Sequence, residues 1–192
     1  MPSGAFSHGC EGAWIADFDR MPRQRQFLSI ATVICVIGLC SVPAHSMGPS
    51  KTRPASASAV AAEVVHLTNV ERTGHGRTAL RASPRLMRAA QIHAEQMGRA
   101  GQLAHVLPGA AYPRTDDRLA AADYRWQTYG ENVALGQSNA TEVLKGWMHS
   151  PGHRTNILNR DFTEMGAGYA IDRAGRPYYV QVFARPLSGT AP

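Results

Sequence analysis

The chain has 192 residues, with 20 Lys and Arg against 14 Asp and Glu for a net charge of +6, and three cysteines. The positive charge is carried almost wholly by arginines dispersed along the sequence, with no basic run and no aromatic interleaving, which argues against nucleic acid as a partner. Cys10, Cys35 and Cys40 all lie near the N-terminus, so the rest of the chain is not a disulfide scaffold and must draw its stability from a packed core.

Residues 1–46 read as a leader. A basic patch, Pro22-Arg23-Gln24-Arg25-Gln26, precedes an apolar run over 27–40, followed by Ser41-Val42-Pro43-Ala44-His45-Ser46 with small residues at Ala44 and Ser46. This is the layout of a secretory signal peptide cleaved near Ser46. Residues before Met21 fit no signal-peptide region, so Met21 is the expected true start and 21–46 the signal peptide. The apolar run is shorter than the roughly 20 residues that span a bilayer, which makes a retained anchor the weaker alternative. The expected product is a secreted, periplasmic or cell-envelope protein with no integral membrane span after cleavage. Residues 47–192 retain the whole +6 and are numerous enough for one domain with a sizeable core. In an exported protein that charge suits weak attraction to anionic envelope polymers or lipid head groups.

Residues 47–58, polar and containing Pro and Ser, form an expected flexible linker, and the domain is expected over 59–188. Val60, Val64, Leu67 and Val70 recur at helical spacing from Ala59 to Arg72, and Gly74 and Gly76 stop that helix. Ser83-Pro84 opens a second helix with Pro84 in its first turn; Leu86, Ala90, His93 and Met97 share one face, and Gly98 and Gly101 close it. Two acids ahead of Leu119-Ala120-Ala121-Ala122 predict a third helix around Asp116 to Asp123. Tyr129 to Leu135 reads as a strand. Asn139 or Thr141 caps a fourth helix through Trp147, broken at Pro151-Gly152. The chain closes with a predicted antiparallel hairpin, Met165, Ala167, Tyr169 and Ile171 against Val180, Val182 and Ala184, turning near Asp172 to Gly175. Helices first, then interleaved strands, then a hairpin make the class α+β.

The densest motif is Ser150-Pro151-Gly152-His153-Arg154-Thr155-Asn156-Ile157-Leu158, preceded by Trp147 and followed by Phe162-Thr163-Glu164-Met165-Gly166. Upstream stand Gly130-Glu131-Asn132-Val133 and Leu103-Ala104-His105. Together these segments resemble the CAP superfamily (cysteine-rich secretory proteins, antigen 5 and pathogenesis-related proteins) in its bacterial form, from about Val64 to Arg185. The resemblance implies the α-β-α sandwich of that family, a small antiparallel sheet between helical layers. It also implies a cavity of two histidines and two glutamates that in several members holds a divalent ion. His105 falls at the first histidine, Glu131 at the Gly-Glu-Asn glutamate, and His153 at the candidate second histidine. Ser150 stands where the family has its other glutamate, three residues after the tryptophan.

Two imidazoles and a carboxylate suit zinc or another divalent cation, and three protein ligands would leave a position open for water. The same residues equally suit a buried hydrogen-bonded cluster, since buried polar groups need partners. Trp147, Asn132, Arg154 and Asn156 are expected to be structural, Arg154 and Asn156 by bonding backbone near the Pro-Gly corner. Glu164 is expected to pair with Arg154 or to face water, and His93 to be a core-edge histidine rather than a ligand. Ser150 next to His153 lacks a Gly-x-Ser-x-Gly elbow and reads as a helix-end residue bonding backbone rather than a nucleophile. The expected function is that of an exported, non-catalytic binding module. Its cleft at His105, Glu131, Ser150 and His153 would hold a lipid, a small apolar molecule or an envelope component, with or without a divalent metal. A metal-assisted hydrolase using His105, Glu131 and His153, and an interaction protein with a vestigial cavity, are the alternatives.

Overall fold

A computed structural model of the protein describes residues 56–189; the leader, its cysteines and the linker up to residue 55 lie outside the described residues. In chain order the elements are α1 (Ala57–Gly74), β1 (Arg81–Ala82), α2 (Pro84–Ala100), α3 (Thr115–Ala121), β2 (Trp126–Leu135), α4 (Ala140–His149), α5 (Pro151–Leu158), β3 (Glu164–Ile171) and β4 (Pro177–Pro186). The strands form one sheet in the order β1-β3-β4-β2. β3 pairs antiparallel with β4, and β4 with β2, as the predicted hairpin requires, while β1 runs parallel to β3. The sheet is therefore mixed rather than wholly antiparallel, because a two-residue strand carries no periodicity that a sequence can show.

Both faces of the sheet are covered. On one, α1, α4 and α5 bury Val64, Trp147, Ile157 and Phe162 against Met165 and Phe183. On the other, α2 and α3 bury Leu86, Ala90, Met97 and Leu119 against Val180 and Val182. Gly166 and Gly168 let α2 approach so closely: a Cβ at Gly166 would lie 2.2 Å from the Leu86 carbonyl carbon, and one at Gly168 2.3 Å from the Ala90 carbonyl oxygen. Met165 and Ala167 pair with Phe183 and Gln181, whereas Val180, Val182 and Ala184 pair with Gly168, Gly166 and Glu164. The two apolar sets of the predicted hairpin thus face opposite layers, since successive residues of a strand alternate sides.

Local chemistry sets the ends of the helices. The Ser56 side chain accepts from the Ala59 N–H, so α1 begins inside the stretch read as linker. Gly98 lies within α2 and packs on Ala170; the helix ends at Gly101, in the left-handed conformation a C-terminal glycine permits. Asn139 caps α4 through its side chain. Pro151, read from sequence as a helix breaker, instead opens α5: a first-turn proline lacks only an N–H that would have no intrahelical partner. That extra helix brings His153 and Asn156 beside β2.

Candidate functional site

The site is built around Glu131 on β2, whose side chain is almost fully buried. Its Oε1 accepts from His105 Nδ1 at 3.0 Å and lies 3.5 Å from His93 Nε2; its Oε2 accepts from Arg118 Nη2 at 2.8 Å. His105 belongs to the segment between α2 and α3, His93 to α2 and Arg118 to α3, so three successive pieces of chain close on one carboxylate. Burial works to raise the Glu131 pKa, but the His105 hydrogen bond, the neighbouring His93 imidazole and the Arg118 charge outweigh it, and the carboxyl is held below its ordinary range.

Arg118 is wholly buried. Besides Glu131 it donates to the carbonyls of Tyr112 (3.3 Å), Pro113 (3.0 Å) and His105 (3.1 Å) and to Thr115 Oγ1 (3.0 Å). The irregular segment 102–114 is therefore folded over a guanidinium whose planar fork suits several acceptors at once. Nothing in the local sequence singles Arg118 out: it stands behind two acids on a short helix and reads as part of a solvated face. Its one signal is position, immediately before the apolar Leu119-Ala120-Ala121-Ala122.

His93 is completely buried on the apolar face of α2. Its Nε2 donates to the Ala104 carbonyl at 2.8 Å, and its Nδ1 has no partner among the described residues. Burial pushes its pKa down to about 4, so the ring is neutral at physiological pH. The second imidazole on Glu131 is thus His93, expected from sequence to sit at the core edge, rather than His153. His105 is different: its side chain is 52% exposed, and with Nδ1 donating to Glu131 its Nε2 points away from the carboxylate.

His153 is half-buried on α5. Burial, and then the charge of His105, lowers its pKa. Its carbonyl accepts from Asn132 Nδ2 at 3.1 Å. Asn132, fully buried, also donates to Gln181 Oε1 (3.0 Å) and accepts from Asn156 Nδ2 (2.8 Å), while Gln181 donates to Thr68 Oγ1 (2.6 Å). This polar chain runs from α1 across β4 and β2 to α5. Asn156 further donates to the Glu131 carbonyl (3.1 Å) and Trp147 Nε1 to the Val133 carbonyl (3.2 Å), closing the outer edge of β2 at the site. Gly130 admits this packing, since a Cβ there would lie 2.9 Å from the Phe162 ring.

Other expectations are corrected. Arg154 is exposed, and its side chain makes no hydrogen bond or ion pair among the described residues; its backbone N–H bonds the Ser150 carbonyl. Ser150 joins α4 to α5 with no cap from its side chain. Glu164 is buried and pairs with Arg81, and accepts from the Tyr124 hydroxyl at 3.2 Å, rather than meeting Arg154 or water. Among the described residues no three His, Cys, Asp or Glu side chains are placed to hold one metal ion.

Exposed apolar side chains neighbour the site residues along the chain. Leu103 (43%), Val106 (51%) and Tyr112 (41%) are exposed on the segment that Arg118 folds, and Tyr129 (36%) lies two residues before Glu131 on the same side of β2. Tyr129 is tied electrostatically to the same cluster: burial first, then Asp116 and Glu131, raise its hydroxyl pKa. Trp126 packs edge-on against Tyr129, ring centres 5.7 Å apart.

Comparison with known proteins agrees with this architecture. Residues 65–183 match the family model described as the cysteine-rich secretory protein family, CAP. YkwD of Bacillus subtilis is 36% identical over 126 residues, 66% of this chain and 48% of its own length. An extracellular protein of Bacillus anthracis containing an SCP domain superposes with a TM-score of 0.61 at 28% identity, covering 70% of this chain and 45% of that one. An outer surface protein of Borrelia burgdorferi shares the fold at 19% identity, with a TM-score of 0.60 over 66% of this chain and 92% of its own. The chain spans about half the length of the two Bacillus relatives it matches.

Proposed function

The chain belongs to the cysteine-rich secretory protein (CAP) family, and from that membership and the geometry around Glu131 we propose that it is an exported binding module for an apolar or amphipathic ligand. The observation that carries this reading is that Leu103, Val106 and Tyr112 are exposed on the same segment as a half-exposed imidazole held by Glu131, with exposed Tyr129 electrostatically coupled to that carboxylate. Large apolar side chains gathered on one irregular segment mark interaction sites more often than chance exposure does. His105 Nε2 supplies a polar handle, with Nδ1 already committed to Glu131. Export is supported by the leader-like composition of residues 21–46 and by the extracellular description of the Bacillus anthracis relative. Among the described residues no helix is long and apolar enough to cross a membrane.

Titration with a dansyl-labelled fatty acid tests the reading. Saturable binding is expected, weakened about tenfold for each of Leu103→Asp and Val106→Asp, because each removes a buried apolar contact worth about 1.5 kcal/mol or more in the complex. Binding that is absent, or indifferent to both substitutions, overturns it.

The His105–Glu131 pair favours one second reading. A carboxylate that fixes Nδ1–H leaves Nε2 as a general base toward water, the arrangement of a hydrolytic dyad without a protein nucleophile. Ester hydrolysis lost in His105→Gln, with the fold intact, would select this reading; equal rates in both proteins would remove it.

A further inference from the structure

The divalent ion that this family's histidine and glutamate cavity implies does not fit the donors this chain presents. Both Glu131 oxygens are already engaged, Oε1 by His105, with His93 Nε2 3.5 Å away, and Oε2 by Arg118. His93 turns its Nε2 to the Ala104 carbonyl, and its other nitrogen is enclosed. His105 meets Glu131 through Nδ1, so the remaining lone pair, on Nε2, is directed away from the carboxylate. Among the described residues no three His, Cys, Asp or Glu side chains are placed to hold one ion, so an ion bound at Nε2 would fall short of the three protein ligands of an open zinc site. An ion placed on Glu131 would sit beside the Arg118 guanidinium, a like charge at hydrogen-bond range in a buried setting, where such repulsion is costly.

We propose that Arg118 is the resident cation of this site, standing electrostatically where the family's cavity implies a divalent ion, neutralising Glu131 and folding residues 102–114 around itself, so that the site assembles without metal. A guanidinium does here what a metal ion does in an oxygen-rich cavity: it gathers the carboxylate and the carbonyls of His105, Tyr112 and Pro113 around one fixed positive charge. It differs in leaving no open coordination position, so the site that results orients His105 but does not activate water as a Lewis acid.

Thermal unfolding of the full chain, chelated and then titrated with zinc, tests the inference. No rise in Tm up to about 100 μM zinc is expected, whereas a specific site well above its Kd would raise it by several degrees through mass action. A rise that Glu131→Gln leaves intact places the zinc elsewhere on the chain and agrees with the inference; a rise that both Glu131→Gln and His105→Gln abolish overturns it. A second arm asks whether the charge itself matters. Arg118→Met is expected to lower Tm by about 10 °C or to prevent folding, because Glu131 is left as an unpaired buried charge, and Arg118→Lys is expected to recover part of that loss. A Met variant that melts with the wild type, or a Lys variant no better than Met, overturns the role of resident cation. Neither arm requires a ligand, so failure of the fatty-acid titration leaves this inference standing, and its own failure leaves the exposed apolar residues untouched.

Discussion

Two buried glutamates sit in the same sheet and each is matched by an arginine, yet they do different things. Glu164, at the start of β3, takes Arg81 from β1 and the Tyr124 hydroxyl. The Arg81 side chain is 52% exposed, so water screens that pair, and its effect is confined to holding a two-residue strand to the sheet. Glu131 takes Arg118, which has no exposed surface and spreads its two Nη groups over a whole segment of chain, leaving Nε without a partner among the described residues. The difference lies in what surrounds the counter-charge: a solvated partner stabilises one contact, whereas an enclosed one organises everything that must satisfy it. The second arrangement also leaves one imidazole, His105, facing outward on a rigid support.

The sharpest way to break this comparison is to remove each carboxylate. Glu131→Ala is expected to cost about 3 to 5 kcal/mol in urea unfolding, since Arg118 and His105 lose their partner at once, and Glu131→Gln clearly less. A cost below that of the matching change at Glu164 would mean that enclosure of the counter-charge is not what counts.

Acid should reach the two regions differently. The folded-state pKa of His93, about 4, lies below the ordinary value near 6.5, so the unfolded chain binds the extra proton first and stability is lost as pH falls through that interval. The expected loss is about 3 kcal/mol between pH 6.5 and 4, and Glu131, whose carboxyl is also depressed, adds to it only below its ordinary range near 4.5. Urea midpoints measured across this range should flatten in His93→Gln; an unchanged slope would show that His93 is not the group responsible.

Smaller effects are expected at Glu164. Glu164→Gln keeps an acceptor for Tyr124 and loses a pair exposed on one side, so about 1 to 2 kcal/mol is expected, with Tyr124→Phe near 1 kcal/mol. Chemical denaturation of the two variants and of the double variant would show whether the losses are shared, as a common network requires. Smallest of all, Leu103→Ser and Val106→Ser should shift stability by no more than about 0.5 kcal/mol while weakening fatty-acid binding. A large loss of stability there would recast these residues as part of the core.

Much of this architecture was legible beforehand, and the gaps have physical causes. Helical spacing locates α1 and α2 because apolar residues at a 3.6-residue period must face a core, and a cap at Asn139 or Thr141 locates α4. Alternation locates β3 and β4 but gives no hint that the two apolar sets of the hairpin face opposite layers; the register against α2 and α1 decides that. α5 was missed because a proline that ends one helix also begins the next, and local chemistry is the same in both cases. At the site, Glu131 and His105 were recognisable from the family motifs they occupy, and the structure puts them in hydrogen-bond contact. Arg118 was invisible, and His93 was assigned to the core edge rather than to the carboxylate.

The sequence by itself determined the α+β class, the family and the residues available for chemistry, because hydrophobic period and local motifs are written within a few residues of one another. Which imidazole meets Glu131, which arginine neutralises it and which segment that arginine folds are matters of tertiary structure. Residues 93, 105, 118 and 131 come from four separate elements, and only the packing of α2, α3 and the intervening segment on β2 removes the water that would otherwise satisfy each of them singly.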